Sequence, residues 1–329
     1  MITKISTFVT DETLPYRNLA MEEALLYAVQ PNECILYLWQ NRHTVVIGRN
    51  QNSRAECRID ALERDGGFLA RRLSGGGAVF HDLGNLNFTF LMREADYDLD
   101  RQLDVILRAV QSFNIPAEKT GRNDLTVCGQ KFSGNAFYHT NGRAYHHGTL
   151  LLNVDFEKLT HYLTVSPDKL AAKGVASVRA RVVNLCALNQ NITVERMKNA
   201  LVAAFGQVYG LVPTQLAESR LSCDDLARRT EKFASFDWRI GAEPPATCVL
   251  QKRFDWGGVA LHLQINGGVI TDVQVFTDAM DAEFAPLLTA RFKGAVFSPA
   301  GVSQALLCDD TSVLKQIATM MEEYFDEHV

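Results

Sequence analysis

The stretch RRLSGGGAVFHD, residues 71–82, carries the clearest structural and chemical signal in the sequence. Three consecutive glycines allow the backbone to turn with positive φ and to approach a ligand without obstruction by a Cβ atom. Successive backbone N–H groups in such a turn form a nest for phosphate or carboxylate oxygens. A flexible hairpin with solvated arginines is the simpler interpretation, but the arginines before the glycines and His81-Asp82 after them favour a functional turn. Because side chains alternate across a strand, only one of Arg71 and Arg72 can face the side of the turn.

The segments around this turn predict strands and helices in mixed order. Strands are predicted from β-branched and aromatic runs at 33–40, 44–49 and 68–93, and a hairpin turn at Asn141-Gly142. Helices are predicted from apolar spacing at 16–29, 101–113 and 194–209. Because strands and helices do not strictly alternate, the pattern predicts an α/β protein of the α+β type, built on a mixed sheet.

The C-terminal part is predicted to form a second, smaller α+β domain. GAEPPAT, residues 241–247, carries two adjacent prolines, as linkers often do. A hairpin around Asn266-Gly267-Gly268 follows, and then two helical patterns. We therefore predict a large domain at residues 1–245 and a small C-terminal domain at residues 246–329.

Composition excludes several classes of protein. Of 329 residues, 47% are hydrophobic and 22% charged, as in soluble globular proteins. No uncharged apolar stretch approaches the roughly 18 residues that span a bilayer, and no signal-peptide core is present, so we expect a cytoplasmic protein without membrane association. A net charge of −5 argues against nucleic acid as a partner. Seven cysteines without a Cys-x-x-Cys pair predict free thiols rather than a zinc site.

Motifs of several common enzyme classes are absent from the sequence. It has no Gly-Lys dipeptide for a Walker A loop, and its glycine turn fails the Rossmann fingerprint at the third glycine. It has no His-Glu dipeptide for a zinc protease and no Gly-x-Ser-x-Gly elbow. These absences exclude common answers without naming a function.

Two polar segments, GRND at residues 121–124 and KFSGN at residues 131–135, supply further candidate residues. Lys131 offers a point charge to a phosphate or a polarised carbonyl. Asp124 is a candidate for holding Mg²⁺ or a hydroxyl. Taken alone, Lys131 is more often an ordinary solvated lysine. The other candidates in these segments are Asn123, Ser133 and Gly134.

Two more segments complete the set. In YHHGTLLL, residues 145–152, the adjacent His146 and His147 must point to opposite faces of a strand, so they cannot bind one metal together. In KLAAKGVASVRAR, residues 169–181, four cations fall within thirteen residues of an otherwise acidic chain. A solvated charge run is the ordinary explanation, but Lys173-Gly174 and Ser177 suggest a loop that closes over a polyphosphate.

Together and in this order, these segments closely resemble the lipoate–protein ligase A family. The matching stretches are ARRLSGGGAVFHDLGN, GRNDL, KFSGNAFY, HHGTLLLN and KLAAKGVASVRARVVNL. Each is weak alone, whereas the ordered set is specific and extends from about residue 14 to about residue 190. The resemblance implies a catalytic domain of the biotin/lipoate ligase and class II synthetase-like type, followed by a small accessory domain.

The resemblance also implies a reaction. ATP and free lipoate form lipoyl-AMP and pyrophosphate with Mg²⁺, and the lipoyl group then passes to a specific lysine of an acceptor protein. The implied acceptors are apo lipoyl domains of 2-oxoacid dehydrogenase E2 subunits and the glycine-cleavage H protein. We expect a monomer.

By the same resemblance, Lys131 is catalytic and contacts both the lipoyl carbonyl and the α-phosphate. The implied ATP-binding residues are Arg72, Gly77, Ala78, Val79, Phe80 and Lys131. The implied lipoate-binding residues are Arg71, Ser74, Gly75, Gly76, Lys131 and His147. The implied adenylate-covering loop carries Lys169, Lys173, Ser177 and Arg179.

The chemistry fits these residues, because attack of a carboxylate on phosphorus builds charge that a lysine and a glycine-turn nest can stabilise. The acceptor amine must be neutral to attack, and Asp124 and His147 are the candidate proton acceptors. Three alternatives stay open: octanoyl transfer through a cysteine thioester, a biotin ligase, and a non-enzymatic binding protein. Cys128, near Lys131 in what is predicted to be a half-buried strand, is the candidate nucleophile for the first.

Overall fold

The computed structural model describes residues 1–120, 124–164, 182–241, 246–306 and 312–328. The chain divides into two compact units. The first comprises Met1–Ile47, Ser53–Arg72 and Ala78–Ile240, and the second comprises Gly48–Asn52, Leu73–Gly77 and Gly241–Val329. The second unit thus takes in two short segments from within residues 1–245. Residues 242–245 lie outside the described residues, and the domain boundary after residue 245 stays a prediction.

The first unit contains two sheets. In chain order, its strands are β1 (Lys4–Val9), β2 (Glu33–Trp39), β3 (Thr44–Ile47), β4 (Phe68–Arg71), β5 (Val79–His81), β6 (Asn85–Arg93), β7 (Ala117–Thr120), β8 (Asp124–Val127), β9 (Gln130–Thr140), β10 (Arg143–Leu151) and β11 (Thr214–Gln215). The large sheet has the order β11-β1-β2-β6-β10-β9-β8-β7, and the small sheet has the order β4-β3-β5. In the large sheet β1 pairs in parallel with β2 and β11, while β6, β10 and β9 pair antiparallel. The predicted mixed sheet is therefore confirmed.

Helices cover both faces of the large sheet. In chain order they are α1 (Pro15–Ala28), α2 (Ser53–Glu56), α3 (Ile59–Arg64), α4 (Leu99–Gln111), α5 (Phe156–Tyr162), α6 (Leu185–Leu188), α7 (Val194–Tyr209), α8 (Cys223–Ala234) and α9 (Phe236–Arg239). Short 3₁₀ turns occur at Glu94–Asp96 and Glu218–Arg220. None of the described helices is long and apolar enough to span a membrane.

The first face of the large sheet forms an apolar core with α4 and α7. Alternate residues of β2 and β6 point to this face, since side chains alternate along a strand. They are Leu36, Leu38, Leu86, Phe88, Phe90 and Met92. At the start of α4 the Asp98 carboxylate accepts a hydrogen bond from the Arg101 backbone N–H, which satisfies one of the free donors of the first turn. At the end of α7 Gly210 adopts the left-handed conformation that stops a helix.

The second face of the large sheet lies against α1, which packs on α8 and touches β4 of the small sheet. This face buries many polar side chains, among them Asn18 and Glu22 of α1. Glu23 joins α1 to α8 through ion pairs with Lys232 at 2.6 Å and Arg229 at 2.9 Å. The second face is therefore the polar face of the large sheet.

The second unit is a small α+β structure, as predicted. Its strands β12 (Cys248–Phe254), β13 (Gly257–Asn266) and β14 (Val269–Thr277) form an antiparallel sheet. Its helices are α10 (Phe284–Phe292), α11 (Pro299–Leu306) and α12 (Ser312–His328). Strands and helices share one apolar core. Gly267 and Gly268 adopt positive φ at the predicted hairpin turn.

Candidate functional site

The glycine turn, residues 73–77, belongs to the second unit, and that unit explains two of its three glycines. Gly76 has φ of +90° and donates its N–H to the Ala279 carbonyl at 3.0 Å. A Cβ atom at Gly75 would lie 2.3 Å from the same carbonyl oxygen. At Gly77 an added Cβ would meet no atom of the described chain within 4 Å. Packing therefore requires glycine at position 75, and the positive φ favours it at 76. Neither reason applies at 77, where a close ligand remains a reason for glycine.

Arg71 and Arg72 point in opposite directions, as strand alternation predicts. The Arg71 guanidinium donates to the carbonyls of Trp238 at 2.8 Å and Arg239 at 2.9 Å. Trp238 returns a hydrogen bond from its indole to the Arg71 carbonyl. Arg71 thus fastens α9 to β4, and its contact with lipoate stays a prediction.

Arg72 turns to the other side, where it is 6% exposed. Burial lowers the pKa of its guanidinium to about 10, although the nearby Tyr145 and Glu22 act in the opposite direction. The side chain therefore stays charged at neutral pH, and it donates to the Val46 carbonyl at 3.3 Å. A buried cation of this kind can neutralise a phosphate or carboxylate.

Residues Ala78, Val79 and Phe80 lead into β5, an edge strand of the small sheet. The Phe80 ring is buried between His43 and Tyr162, with centroids 5.8 Å from each. Its side chain belongs to the core, so at Phe80 a nucleotide could meet only the backbone. Ser74 is also fully buried, and its carbonyl accepts the Arg49 N–H at 2.9 Å.

Lys131 reaches the polar face of the large sheet because of a β-bulge. Asp124 pairs with Gly134, but Thr126 pairs with Lys131, which leaves Phe132 as an extra residue in β9. One extra residue reverses the face to which the preceding side chain points. Phe132 therefore enters the apolar core. Lys131 instead lies on the side of Gly134, because an added Cβ atom at Gly134 would be only 3.1 Å from Lys131 Nζ.

Lys131 and Asp124 form an ion pair at the accessible end of this face. The Nζ and Oδ1 atoms are 2.6 Å apart, and the two side chains are 39% and 46% exposed. Gly134 lies beside the ammonium group, and its N–H donates to Thr149 Oγ1 at 3.3 Å. Ser133 is fully buried, so its predicted site role would require a ligand to reach below the sheet surface.

The adjacent histidines of β10 face opposite sides, as predicted. On the apolar face, His146 Nδ1 lies 3.0 Å from Gln102 Oε1 and Nε2 lies 2.9 Å from Asn135 Oδ1. Burial and the neighbouring His147 lower the pKa of His146 to about 3, so it is neutral. On the polar face, His147 Nδ1 lies 2.8 Å from Glu22 Oε1. A carboxylate partner fixes Nδ1 of His147 as a hydrogen-bond donor.

Glu22 organises a buried polar layer around His147. The Thr89 hydroxyl donates to Glu22 Oε1 at 2.7 Å, and the Trp39 indole donates to the same hydroxyl at 3.1 Å. Sequence reasoning missed all three residues. Glu22 carried a usable signal, because it lies three residues after Leu19 on the predicted apolar side of α1, where an acidic side chain needs a partner.

Cys128 does not lie in a half-buried strand, and that expectation is wrong. β8 ends at Val127, and Cys128 is exposed in the turn to β9 with φ of +50°. Gly129 follows with φ of +78°, so the two residues form a tight hairpin turn. The tight turn, rather than a catalytic site, therefore explains the Cys128-Gly129 pair.

Several predicted residues lie outside the described residues. They are Asn123 and the loop residues Lys169, Lys173, Ser177 and Arg179.

Comparisons with known proteins agree with this arrangement. Residues 14–206 match the family model of the lipoyl protein ligase A/B catalytic domain, and residues 243–326 match that of the bacterial lipoate protein ligase C-terminus. A lipoate-protein ligase A from Psychrobacter cryohalolentis is 44% identical over 84% of both chains. The chain belongs to the lipoate–protein ligase A family. The predicted family and enzyme class, a ligase that attaches lipoate to protein, are thereby confirmed.

Solved lipoate ligases share the fold. The crystal structure of P. falciparum LipL1 in complex with lipoate superposes with a TM-score of 0.83 at 29% identity, covering 96% of this chain and 98% of that one. A bipartite lipoate protein ligase from Thermoplasma acidophilum, studied with its E2 lipoyl domain, gives a TM-score of 0.64 at 25% identity, covering 75% and 100%. The predicted lipoate-ligase fold is confirmed.

Proposed function

We propose that this chain activates free lipoate with ATP, forming lipoyl-AMP and pyrophosphate, and then transfers the lipoyl group to a specific lysine of an acceptor protein. The observation that carries the proposal is the Lys131–Asp124 pair on the sheet face that also carries His147, which is paired with Glu22 of α1. A cation held at the accessible end of a buried polar face suits a reaction in which phosphate charge develops.

In the first step, a carboxylate oxygen of lipoate forms a bond to the α-phosphorus of ATP. The bond from that phosphorus to the bridging oxygen breaks, and pyrophosphate leaves with the electron pair. Charge increases on the phosphate oxygens, which Lys131 would stabilise from its position beside Gly134. Arg72 is the second candidate for this role, because a buried cation that is already in place can stabilise the developing charge without rearrangement.

In the second step, the acceptor amine attacks the lipoyl carbonyl carbon, AMP leaves and one proton is released. Deprotonating a lysine of pKa 10.4 at neutral pH costs about 4 kcal/mol. Asp124 and His147 are the candidate proton acceptors. Asp124 is paired with Lys131, and His147 is paired with Glu22. The positive charge of Lys131 could also lower the free-energy cost of deprotonation, because it repels the acceptor ammonium.

The proposal includes Mg²⁺ brought in with ATP. Among the described residues no group of three or more His, Cys, Asp or Glu side chains could hold a metal ion. Mg²⁺ commonly keeps water ligands and binds through substrate phosphates with one or two carboxylates. We propose apo lipoyl domains of 2-oxoacid dehydrogenase E2 subunits and the glycine-cleavage H protein as acceptors, and a cytoplasmic monomer as the working form.

The rival reaction, octanoyl transfer through a cysteine thioester, needs a thiolate in an activating environment. Cys128 instead occupies the exposed tip of a tight turn. Its position supports ATP-dependent activation over thioester transfer.

The test is the intact mass of an apo lipoyl acceptor domain incubated with the full-length protein, Mg²⁺ and lipoate, with and without ATP. A gain of one lipoyl group that requires ATP is expected. Lys131→Ala should reduce the rate by at least about a hundredfold, because a preorganised charge-stabilising donor contributes about that much or more. Cys128→Ser should leave the rate unchanged.

Lys119→Ala is the matched control. Lys119 also forms a 2.6 Å pair with an aspartate, but this partner, Asp100, belongs to α4, which packs on the first face of the sheet. Lipoylation that proceeds without ATP, or a Lys131→Ala variant as active as Lys119→Ala, would contradict the proposed mechanism.

A further inference from the structure

Two arginines lie directly opposite each other at one end of the polar face of the large sheet. Arg93 in β6 pairs with Arg143 in β10, and strand alternation places Arg143 on the same face as His147. Like charges directly opposite on neighbouring strands destabilise a sheet. Neither arginine forms an ion pair with a carboxylate of the described residues, so this repulsion has no compensation within that part of the chain.

The carboxylates nearest to Arg93 in sequence have other partners. Glu94 lies 3.3 Å from Nδ1 of His139, which alternation along β9 places on the first face. Asp96 is paired with the N-terminal amine at 2.8 Å. The two guanidinium groups therefore form a local excess of positive charge in a chain whose net charge is −5.

Each guanidinium also keeps hydrogen-bond donors that the described chain does not use. The Nε atoms of both arginines have no hydrogen-bond partner there, while Arg143 Nη1 donates to the Asn141 carbonyl at 3.2 Å. Because both side chains remain partly exposed, an anion can approach them from solvent. A carboxylate suits the pair, because a guanidinium binds it through two parallel hydrogen bonds as well as by charge.

An exposed tyrosine lies beside the arginine pair. The Arg143 guanidinium is 5.4 Å from the centroid of the Tyr27 ring, and Tyr27 is 39% exposed near the end of α1. Arg229 lies 5.0 Å from the same centroid, but Glu23 and Asp225 neutralise its charge. Tyrosine and arginine are enriched among the residues that dominate the binding energy of protein interfaces. The patch therefore suits a protein partner better than a free anion.

Strand geometry relates this patch to Lys131. Alternation puts Gly134, Tyr138 and Thr140 of β9 on the polar face, and Thr140 pairs with Arg143. At about 3.4 Å per residue, Gly134 and Thr140 are separated by about 20 Å. Lys131 Nζ lies beside Gly134. A folded domain of about 100 residues has a radius of gyration of about 13 Å, so one that presents a lysine to Lys131 is wide enough to reach Arg143.

Resting on the proposed function, we propose that Tyr27, Arg93 and Arg143 form a docking surface for the acceptor domain, and that the arginine pair binds a carboxylate of that domain. The arginines select an acidic acceptor surface by charge complementarity, and the Tyr27 ring adds apolar contact. Charge complementarity raises the rate of encounter and fixes the orientation in which a partner binds. The docking surface thus aligns the acceptor lysine with the carbonyl of the activated lipoyl group.

The test separates lipoate activation from lipoyl transfer. Transfer to an apo lipoyl domain of an E2 subunit is followed by intact mass, and lipoate-dependent exchange of pyrophosphate into ATP measures activation without an acceptor. Arg143→Gln and Arg93→Gln should each raise KM for the acceptor about tenfold and leave kcat and the exchange rate unchanged, because each removes an interface arginine. Arg108→Gln, at an exposed arginine of α4, is the matched control and should change none of these values.

Thermal unfolding distinguishes docking from a structural role. Neither Arg93→Gln nor Arg143→Gln should lower the melting temperature, because each removes one of two opposed like charges. A lower melting temperature together with a lower exchange rate in both variants would overturn the proposal, since the arginines would then support the fold.

A double-mutant cycle tests the predicted charge pair. Each exposed carboxylate of the acceptor is replaced by its amide in turn, and its effect on KM is measured with wild-type ligase and with Arg143→Gln. At least one acceptor variant should be non-additive with Arg143→Gln, because residues in contact are coupled. Additive effects at every acceptor position would overturn the proposal.

An unchanged KM for the acceptor in both arginine variants would overturn the docking surface. A raised KM for ATP would also overturn it, because that result would assign the arginine pair to a free anion. If the wild-type protein modifies no acceptor in the presence of ATP and lipoate, the proposed function itself fails. That result is distinct from an active enzyme whose KM for the acceptor is insensitive to Arg93 and Arg143.

Discussion

Strand β6 buries Phe88 and Phe90 on the first face of the large sheet, whereas on the second face the same strand buries Asn87 and Thr89. The apolar face meets α4 and α7 in one continuous core. On the polar face, Thr89 instead hydrogen-bonds to Glu22 of α1. One strand therefore contributes to stability on one side and to the candidate site on the other.

The difference shows how the two faces achieve burial. Apolar burial is non-directional and adds with area, so the first face needs only complementary shape. Buried polar groups need partners with defined geometry, and a fold retains them at a cost where they are used. Substitutions on the second face should therefore mainly reduce activity, whereas substitutions on the first face should mainly reduce stability.

The largest expected effect comes from the apolar face. Phe88→Ala should lower the free energy of unfolding by about 3–5 kcal/mol, because it removes a fully buried ring and leaves a cavity. The ring packs 5.4 Å from His146 and 5.8 Å from Phe90. Chemical denaturation at neutral pH measures the change.

The control for this variant is Phe236→Ala, since Phe236 is 54% exposed in α9. It should change the free energy of unfolding by no more than about 0.5 kcal/mol. Similar losses at both positions would mean that the apolar face does not dominate stability.

A smaller loss of stability, with a larger loss of activity, is expected from the polar face. Glu22→Gln keeps the shape of the side chain but removes the charge that holds His147 Nδ1 and Thr89 Oγ1. We expect about 1–3 kcal/mol less stability. The kcat for lipoyl transfer should fall more than KM rises, because His147 loses its orientation without loss of a substrate contact.

The matched control is Glu94→Gln. Glu94 also lies beside a histidine, His139, at 3.3 Å, but both side chains are about half exposed. Surface pairs contribute at most about 1 kcal/mol. If Glu22→Gln behaves like Glu94→Gln in both stability and kcat, the polar layer has no special role.

The smallest effect is a dependence on pH. Burial alone would raise the pKa of Glu33, but hydrogen bonds from Arg220, the Gln30 backbone and Ser6 prevail and lower it to about 2. The folded state thus favours the charged carboxylate. This contribution is fully present above the unfolded pKa of about 4.3 and is lost as pH falls toward 2.

Glu33→Gln should therefore be less stable than wild type at pH 7, with a difference that shrinks below about pH 4.3. One proton changes the free energy of unfolding by at most about 1.4 kcal/mol per pH unit. Denaturation series from pH 7 to pH 2 measure the difference. The free energy of unfolding of Glu118→Gln, at an exposed position of β7, should change with pH in parallel with that of wild type. A Glu33→Gln curve that is also parallel to wild type would show that Glu33 is not the source of the pH dependence.

Much of this protein follows from the sequence alone. Apolar spacing predicts α4 and α7, and glycine and asparagine positions predict the turns at residues 141–142 and 266–268, because local backbone preferences decide them. Alternation along a strand predicts that Arg71 and Arg72 diverge, as do His146 and His147. The ordered motifs identify the family, because five matching segments in one order are rarely shared by chance.

Tertiary structure decided the rest. The bulge at Phe132 brings Lys131 to the polar face, and alternation without it predicts the wrong side. Glu22, Thr89 and Trp39 come from three separate elements, so only long-range strand pairing and the docking of α1 unite them. Likewise, the distant Ala279 carbonyl requires glycine at position 75, where a Cβ atom would clash, and accepts the N–H of Gly76. Sequence fixes what each residue prefers locally, whereas contacts between distant segments decide which groups meet, and those contacts depend on the packing of the whole unit.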